Sequence, residues 1–168
     1  MALMVPSIIV LHGFGGLSGT DESAVKAMFI YNFAKYFDWS RIESKPEFVI
    51  AVYGNTKVAK YLDEISHRKT INGKPIVIRT IFTPAECAGA QMLFLPDHAS
   101  NLSEILQMFS GNNSIVIITE NEEAFRKGSH INLINVDGKL RFELNETRMK
   151  NNSIKYSKEL TSLSVKPD

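Results

Sequence analysis

The sequence predicts an α/β domain of three layers: a mostly parallel sheet covered by helices on both faces and ending in an antiparallel hairpin. Three observations carry this. Short apolar, β-rich runs recur at Phe48–Gly54, Pro75–Phe82, Gln91–Pro96 and Ser114–Glu120. The stretches between several of them return apolar residues every three or four positions, as one face of a helix requires. Finally, Asp137-Gly138 sits between two alternating runs in INLINVDGKLRFELN, the strongest short-range signal for a tight hairpin. Parallel strands need crossovers, and helical crossovers cover both faces of the sheet, so the arrangement is Rossmann/flavodoxin-like.

Taken in order, the chain opens with MALMVPSIIVLHGFGGLSGTDES. The apolar run from Ala2 to about Leu17 is interrupted by Pro6 and His12 and is too short and Gly-rich to span a bilayer comfortably. Residues 1–19 read as a secretory signal, with Gly16-Leu17-Ser18 or Leu17-Ser18-Gly19 offering small residues where a peptidase cuts, although Ala2 and not a basic residue follows Met1. One domain then occupies 20–168. IIVLHGFGG also looks like the oxyanion loop of α/β-hydrolases, but that chemistry needs a G-x-S-x-G nucleophile elbow, and the chain has none.

From Glu22 to Trp39 the residues Val25, Met28, Phe29, Phe33, Tyr36 and Phe37 form a helical stripe expected to pack on the sheet, with Asp21 or Ser23 as the cap. After the first strand, NTKVAKYLDEIS returns to helical spacing through Val58, Tyr61, Leu62 and Ile65. TPAECAGA is a short connection, SEILQMF a helix that Asn101 or Ser100 caps, and Glu122 to Lys127 a brief helix with acids at its positive end. ETRMKNN and SKELTSL supply small helical pieces after the hairpin.

Function is bounded first by exclusion. Lys plus Arg number 19 against 18 for Asp plus Glu, so no long-range field draws the chain to nucleic acid. The single cysteine, Cys87, cannot form an intrachain disulfide or a thiolate cluster. His12, His67, His98 and His130 lack the three- or four-residue spacing of helical metal sites and read as surface or loop residues, so no metal or cofactor is expected. An open parallel sheet binds ligands beyond the carboxyl ends of its strands. That places a ligand crevice at Gly54, Asn55, Thr56, Asp97, His98, Glu120 and Asn121. Gly54-Asn55-Thr56-Lys57 is a poor phosphate cradle and reads as a helix cap. Asp97 lies near a receiver domain's phosphoacceptor position, but Gly54-Asn55 stands where the acidic pair would hold Mg²⁺. With no catalytic set, a binding protein is predicted and not an enzyme.

The segments YNFAKYFDWS, INGKPIVIR, CAGAQMLFLP, SIVIITE, FRKGSHINLINVDGKLRFELN and SIKYSKELTSL, from about Val25 to Leu163, occur in the order and spacing of the YfiR family, which the chain resembles. The resemblance rests on Asn32, Phe33, Lys35 and Trp39 early and on Arg141, Phe142 and Glu143 late. Gly73, Cys87 and Asn132 also fall on the pattern. It implies a periplasmic α/β protein of Gram-negative bacteria. It further implies a partner, the periplasmic sensor region of an inner-membrane diguanylate cyclase, whose cyclic di-GMP output and biofilm consequences such a protein restrains. The pattern carries packing residues and no catalytic ones. Two departures stand out. Gly128-Ser129-His130-Ile131 replaces a Gly-Gly-Met-Ile type of loop, which makes the turn less permissive, and Cys87 stands alone where relatives pair cysteines. An intermolecular disulfide, and with it a homodimer, is the alternative to a buried thiol. The rival to regulation by protein contact is a periplasmic small-molecule binding protein that uses the crevice.

Overall fold

Asp21 starts the first helix by accepting the Ser23 N–H at 2.9 Å, one of the donors that a helix start leaves without an intrahelical partner. The computed structural model describes residues 21–166 apart from 43, 101, 110, 112 and 113. The predicted signal, the HGFGG segment and the Asn101 cap lie outside the described residues.

In chain order the elements are α1 (Glu22–Phe33), β1 (Phe48–Tyr53), α2 (Lys57–Ser66), β2 (Thr70–Ile71), β3 (Lys74–Ile81), β4 (Met92–Leu95), α3 (Leu102–Met108), β5 (Val116–Thr119), α4 (Glu122–Lys127), β6 (Ile131–Val136), β7 (Lys139–Leu144), α5 (Glu146–Asn151) and α6 (Lys158–Leu163). One seven-stranded sheet has the order β2-β3-β1-β4-β5-β6-β7. The strands from β3 to β6 are parallel, and β2 and β7 add an antiparallel strand at each edge. The mostly parallel α/β fold with a terminal hairpin is as predicted.

The central strands are buried on both faces, which is why they read as unbroken apolar runs. Successive side chains point to opposite faces. Ile50, Val52, Met92, Phe94, Val116 and Ile118 join the core under α1 and α2. Val49, Ala51, Leu93, Leu95 and Ile117 join a second core with Ile105 and Leu106 of α3 and Ala124 of α4. The hairpin turns at Asp137 and Gly138, both at positive φ, as a two-residue turn of this hand requires.

Three expectations are corrected. The first helix was predicted to reach Trp39, but it ends at Phe33, tightens into a 3-10 turn over Ala34–Tyr36 and becomes extended at Phe37. Partners in the C-terminal segment explain the stop: Phe37 pairs with Tyr156, the Asp38 N–H donates to the Lys155 carbonyl, and the Ser157 N–H donates to that of Tyr36. The predicted stripe packs as expected at Phe33 and Phe37, with Phe29 and Tyr36 against the same core, but not at Met28. Met28 is 47% exposed, and the buried positions of α1 are Ala27, Ile30, Tyr31 and Phe33. Finally, β2 was not anticipated. Asn72-Gly73, both at positive φ, turn it back onto Lys74 and Pro75.

Candidate functional site

The parallel strands in chain order, β1, β3, β4, β5 and β6, lie in the sheet as second, first, third, fourth and fifth. The chain therefore reverses its winding between β1 and β4, where a doubly wound sheet opens its crevice. The residues predicted to line it fall into two groups. Beyond β4 and β5 a connected set forms. Glu120 Oε1 accepts the Asp97 N–H at 3.1 Å, and Asn121 Nδ2 donates to Asp97 Oδ1 at 2.8 Å. Asn121 also caps α4 by accepting the Ala124 N–H. Lys26 of α1 reaches over to Glu120 Oε2 at 2.5 Å and to Glu22 at 2.8 Å. Burial pulls the Lys26 amine down, but Glu120 and Glu22 outweigh it and hold its pKa above the ordinary lysine value.

The other predicted residues do different work. Gly54, at φ 77°, donates its N–H to the Ile81 carbonyl at 2.8 Å and closes the end of β1. Thr56 caps α2 by accepting the Ala59 N–H at 3.1 Å. Asn55 and His98 are exposed. A bond of 3.2 Å between the Tyr53 and Ser100 hydroxyls ties the loops after β1 and β4 together.

An open concavity lies further along, beyond β5 and β6. It is a groove of about 760 Å³ lined by Glu120, Phe125, Asn132, Glu143, Asn145 and Glu146, among others. Its floor rests on a buried polar chain. Thr119 Oγ1 lies 2.8 Å from Ser129 Oγ and donates to Asn132 Oδ1 at 3.1 Å. Asn132 Nδ2 in turn donates to Glu143 Oε2 at 2.9 Å. A buried polar network is stable only when each member is satisfied, which makes this segment rigid.

His130 was expected at the surface, and this is corrected: it is fully buried. The Ile117 N–H donates to its Nδ1 at 2.9 Å. With Nδ1 fixed as acceptor, the ring proton sits on Nε2, which lies 3.0 Å from the side-chain amide of Asn152. The amide oxygen is the end that can accept that proton. Burial first, and the nearby Arg148 charge second, push the His130 pKa down to about 3, so the ring is neutral. The loop around His130 is closely packed. Ser129 and His130 are both pinned inside, and a Cβ on Gly128 would meet the Arg148 guanidinium at 3.1 Å.

The remaining pattern residues are mostly packing groups. Phe33 and Phe142 are buried with ring centroids 4.8 Å apart. Trp39 is buried and donates Nε1–H to the Ala34 carbonyl at 2.6 Å. Lys35 donates to Asn32 Oδ1 and lies 4.2 Å from the Tyr31 ring centre. Gly73 occupies the turn between β2 and β3. Arg141 is exposed. Cys87 is buried, and burial, only slightly opposed by Arg79, pushes its thiol up to about 12.

Two signals for the missed residues were present in the sequence. Asn72-Gly73 between Ile71 and Lys74 is a hairpin dipeptide. His130 stands directly before a β-rich run and so in a position to be buried. Among the described residues no helix is long and apolar enough to cross a membrane, and no group of three or more potential metal ligands converges. A protein-family model described as YfiR/HmsC-like matches residues 23–165. No curated protein matches the chain.

Proposed function

Because the chain belongs to the YfiR/HmsC-like family, we propose that it is an exported periplasmic regulator that acts by protein contact on a membrane-bound signalling enzyme, a diguanylate cyclase controlling cyclic di-GMP. The observation that carries this reading is the extent of the family match. It runs from α1 to the segment after α6 and so covers the whole sheet and both helical layers. The family is a regulatory one, and the rigid polar floor of the groove suits a surface that presents a fixed shape to a partner. The test is co-purification of the full chain with the periplasmic sensor regions of the membrane diguanylate cyclases of its own genome, read together with cellular cyclic di-GMP in a deletion strain. Capture of one sensor and a changed nucleotide level support the proposal. Failure to bind any of them overturns it.

A second reading is a small-molecule binding protein using the crevice beyond the strand ends at Asp97, Glu120 and Asn121, with Gly54, Asn55, Thr56 and His98, because an open parallel sheet binds ligands there; Glu120 also lines the groove. A ligand at a hundred times its dissociation constant adds about 2.7 kcal/mol of stability, so a thermal-shift screen with periplasmic metabolites separates the two readings.

A further inference from the structure

The chain closes two hairpins with the same backbone geometry and different chemistry. Asn72 and Gly73 hold φ 50° and 74°, and Asp137 and Gly138 hold φ 52° and 73°. The first turn therefore carries a side-chain amide where the second carries a carboxylate. An asparagine followed by glycine can react with itself, because the glycine amide nitrogen closes a five-membered ring on the side-chain carbonyl and no Cβ obstructs the approach. At the turn between β2 and β3 nothing shields that reaction. Both residues are exposed, and a Cβ on Gly73 would meet nothing within 4 Å. Among the described residues neither the Gly73 N–H nor the Asn72 amide makes a hydrogen bond. Asn152-Ser153 is the opposite case. Asn152 is buried with its amide 3.0 Å from His130 Nε2, and the Ser153 N–H donates to the Lys150 carbonyl at 3.0 Å, so both reacting groups are held. Ring closure at Asn72 also requires the residue to leave its left-handed conformation, so the turn must first open. Little resists this. The strand β2 pairs only with Lys74 and Pro75, its Thr70 is exposed, and buried Ile71 alone pins it. Short edge segments of this kind open at far lower cost than global unfolding.

We propose that Asn72 is a site of spontaneous deamidation, with water as the only co-reactant, and that the reaction releases β2 irreversibly. The Gly73 nitrogen loses its proton to hydroxide and attacks Asn72 Cγ. A C–N bond forms, the Cγ–Nδ2 bond breaks, and the side-chain nitrogen takes a proton from water and leaves as ammonia. Water then opens the resulting succinimide on one of two sides. Cleavage of the new bond at Cγ gives an ordinary aspartate, whereas cleavage of the main-chain bond gives an isoaspartate whose backbone runs through Cγ. The aspartate suits the turn, since Asp137-Gly138 holds the same angles. The isoaspartate has an extra carbon in the main chain, and a turn built for two residues between Ile71 and Lys74 no longer closes over it. The strand β2 then stays off β3 and Ile71 loses its burial. This inference stands independently of the regulatory reading.

The test holds the full chain folded for weeks at mildly alkaline pH and then digests it with trypsin. The fragment that reports Asn72 is Thr70–Arg79, because Lys74 precedes Pro75 and resists cleavage. It should split into the original form and two new forms, each with the mass of a carboxyl group in place of an amide, while the fragment Asn151–Lys155 stays intact. The new forms should accumulate faster as hydroxide rises and several-fold faster in Ile71→Ala, which unpins β2. They should be absent in Asn72→Gln, whose longer side chain cannot close a five-membered ring. The isolated isoaspartyl protein should melt below the wild type, whereas Asn72→Asp should melt with it. Loss of Asn72 no faster than loss of Asn152 in the folded chain overturns the proposal, and so does an isoaspartyl form as stable as the wild type.

Discussion

His130 makes the chain sensitive to mild acid, and the size of the effect follows from its surroundings. The unfolded chain protonates this ring near the ordinary value of 6.5, whereas the folded chain holds it neutral down to about 3. Between those values the unfolded state binds the extra proton, so lowering the pH favours unfolding. From pH 7 to about pH 5 the loss is about 2 kcal/mol. That figure is set by the unfolded value alone, because the folded ring is still neutral throughout the window. Stability thus falls as pH drops through 6.5 and goes on falling until the folded ring titrates. Comparison with a variant lacking the ring subtracts whatever the other titrating groups contribute in this window.

The assay is urea denaturation of the wild type and of His130→Met at both pH values. The variant leaves the buried Ile117 N–H without its acceptor, so it should be less stable at pH 7 by about 1–3 kcal/mol. It should nevertheless show a nearly flat profile from pH 7 to pH 5. A flat wild-type profile would refute the buried neutral ring. An equal fall in the variant would assign the acid sensitivity to another group.

Two further outcomes are expected. Phe33→Ala should cost about 3–5 kcal/mol, on the order of 10 °C in melting temperature, because a 3% exposed ring is lost from between Phe29 and Phe142. Met28→Ala, at an exposed position of α1, should cost under about 1 kcal/mol, and a reversed order in thermal melts would contradict the burial of Phe33. A thiol reagent should label Cys87 slowly in the native protein and rapidly in denaturant, since burial leaves almost no thiolate at neutral pH. Rapid native labelling, or a dimer band that reductant removes, would contradict that burial.

The strands were legible because burial on both faces leaves no polar residue to interrupt Met92–Leu95 or the Val116–Ile118 run. The hairpin was legible because a two-residue turn with positive φ demands Asp137-Gly138 or something close to it. What the sequence hid depends on distant partners. The inward face of α1 and of the turn after it includes the small residues Ala27 and Ala34, which carry little hydrophobic signal. Its aromatic Phe29 packs against Phe142, which lies on β7. The end of α1 is decided by Lys155 and Tyr156, and the burial of His130 by Ile117 and Asn152. None of these pairings leaves a periodic trace in the local sequence.

The candidate site shows the same division, and it bears on which function to expect. The strand pattern located the carboxyl ends of β1, β4 and β5 correctly, yet it carried no information on what lies over them. Asp21 at the start of α1 is held by the Lys57 amine and the Tyr61 hydroxyl, each at 3.3 Å, while Lys26 one turn further on is tied to Glu120. The first helix is therefore fastened to α2 on one side and to the end of β5 on the other. A ligand entering beside Glu120 would have to displace an ion pair whose side chains are only 18% and 16% exposed, and leaving one such partner unpaired is costly. This geometry favours contact over the outer surface rather than occupation of the crevice. Lys26→Ala should lower stability by about 1–3 kcal/mol through the unpaired Glu120 carboxylate, and Glu120→Gln in the same chain should recover part of that loss. It should also leave partner capture intact while making the crevice easier to enter. If a metabolite instead stabilises the wild type strongly and Lys26→Ala abolishes that effect, the lysine is a ligand-binding group, and the small-molecule reading displaces the regulatory one.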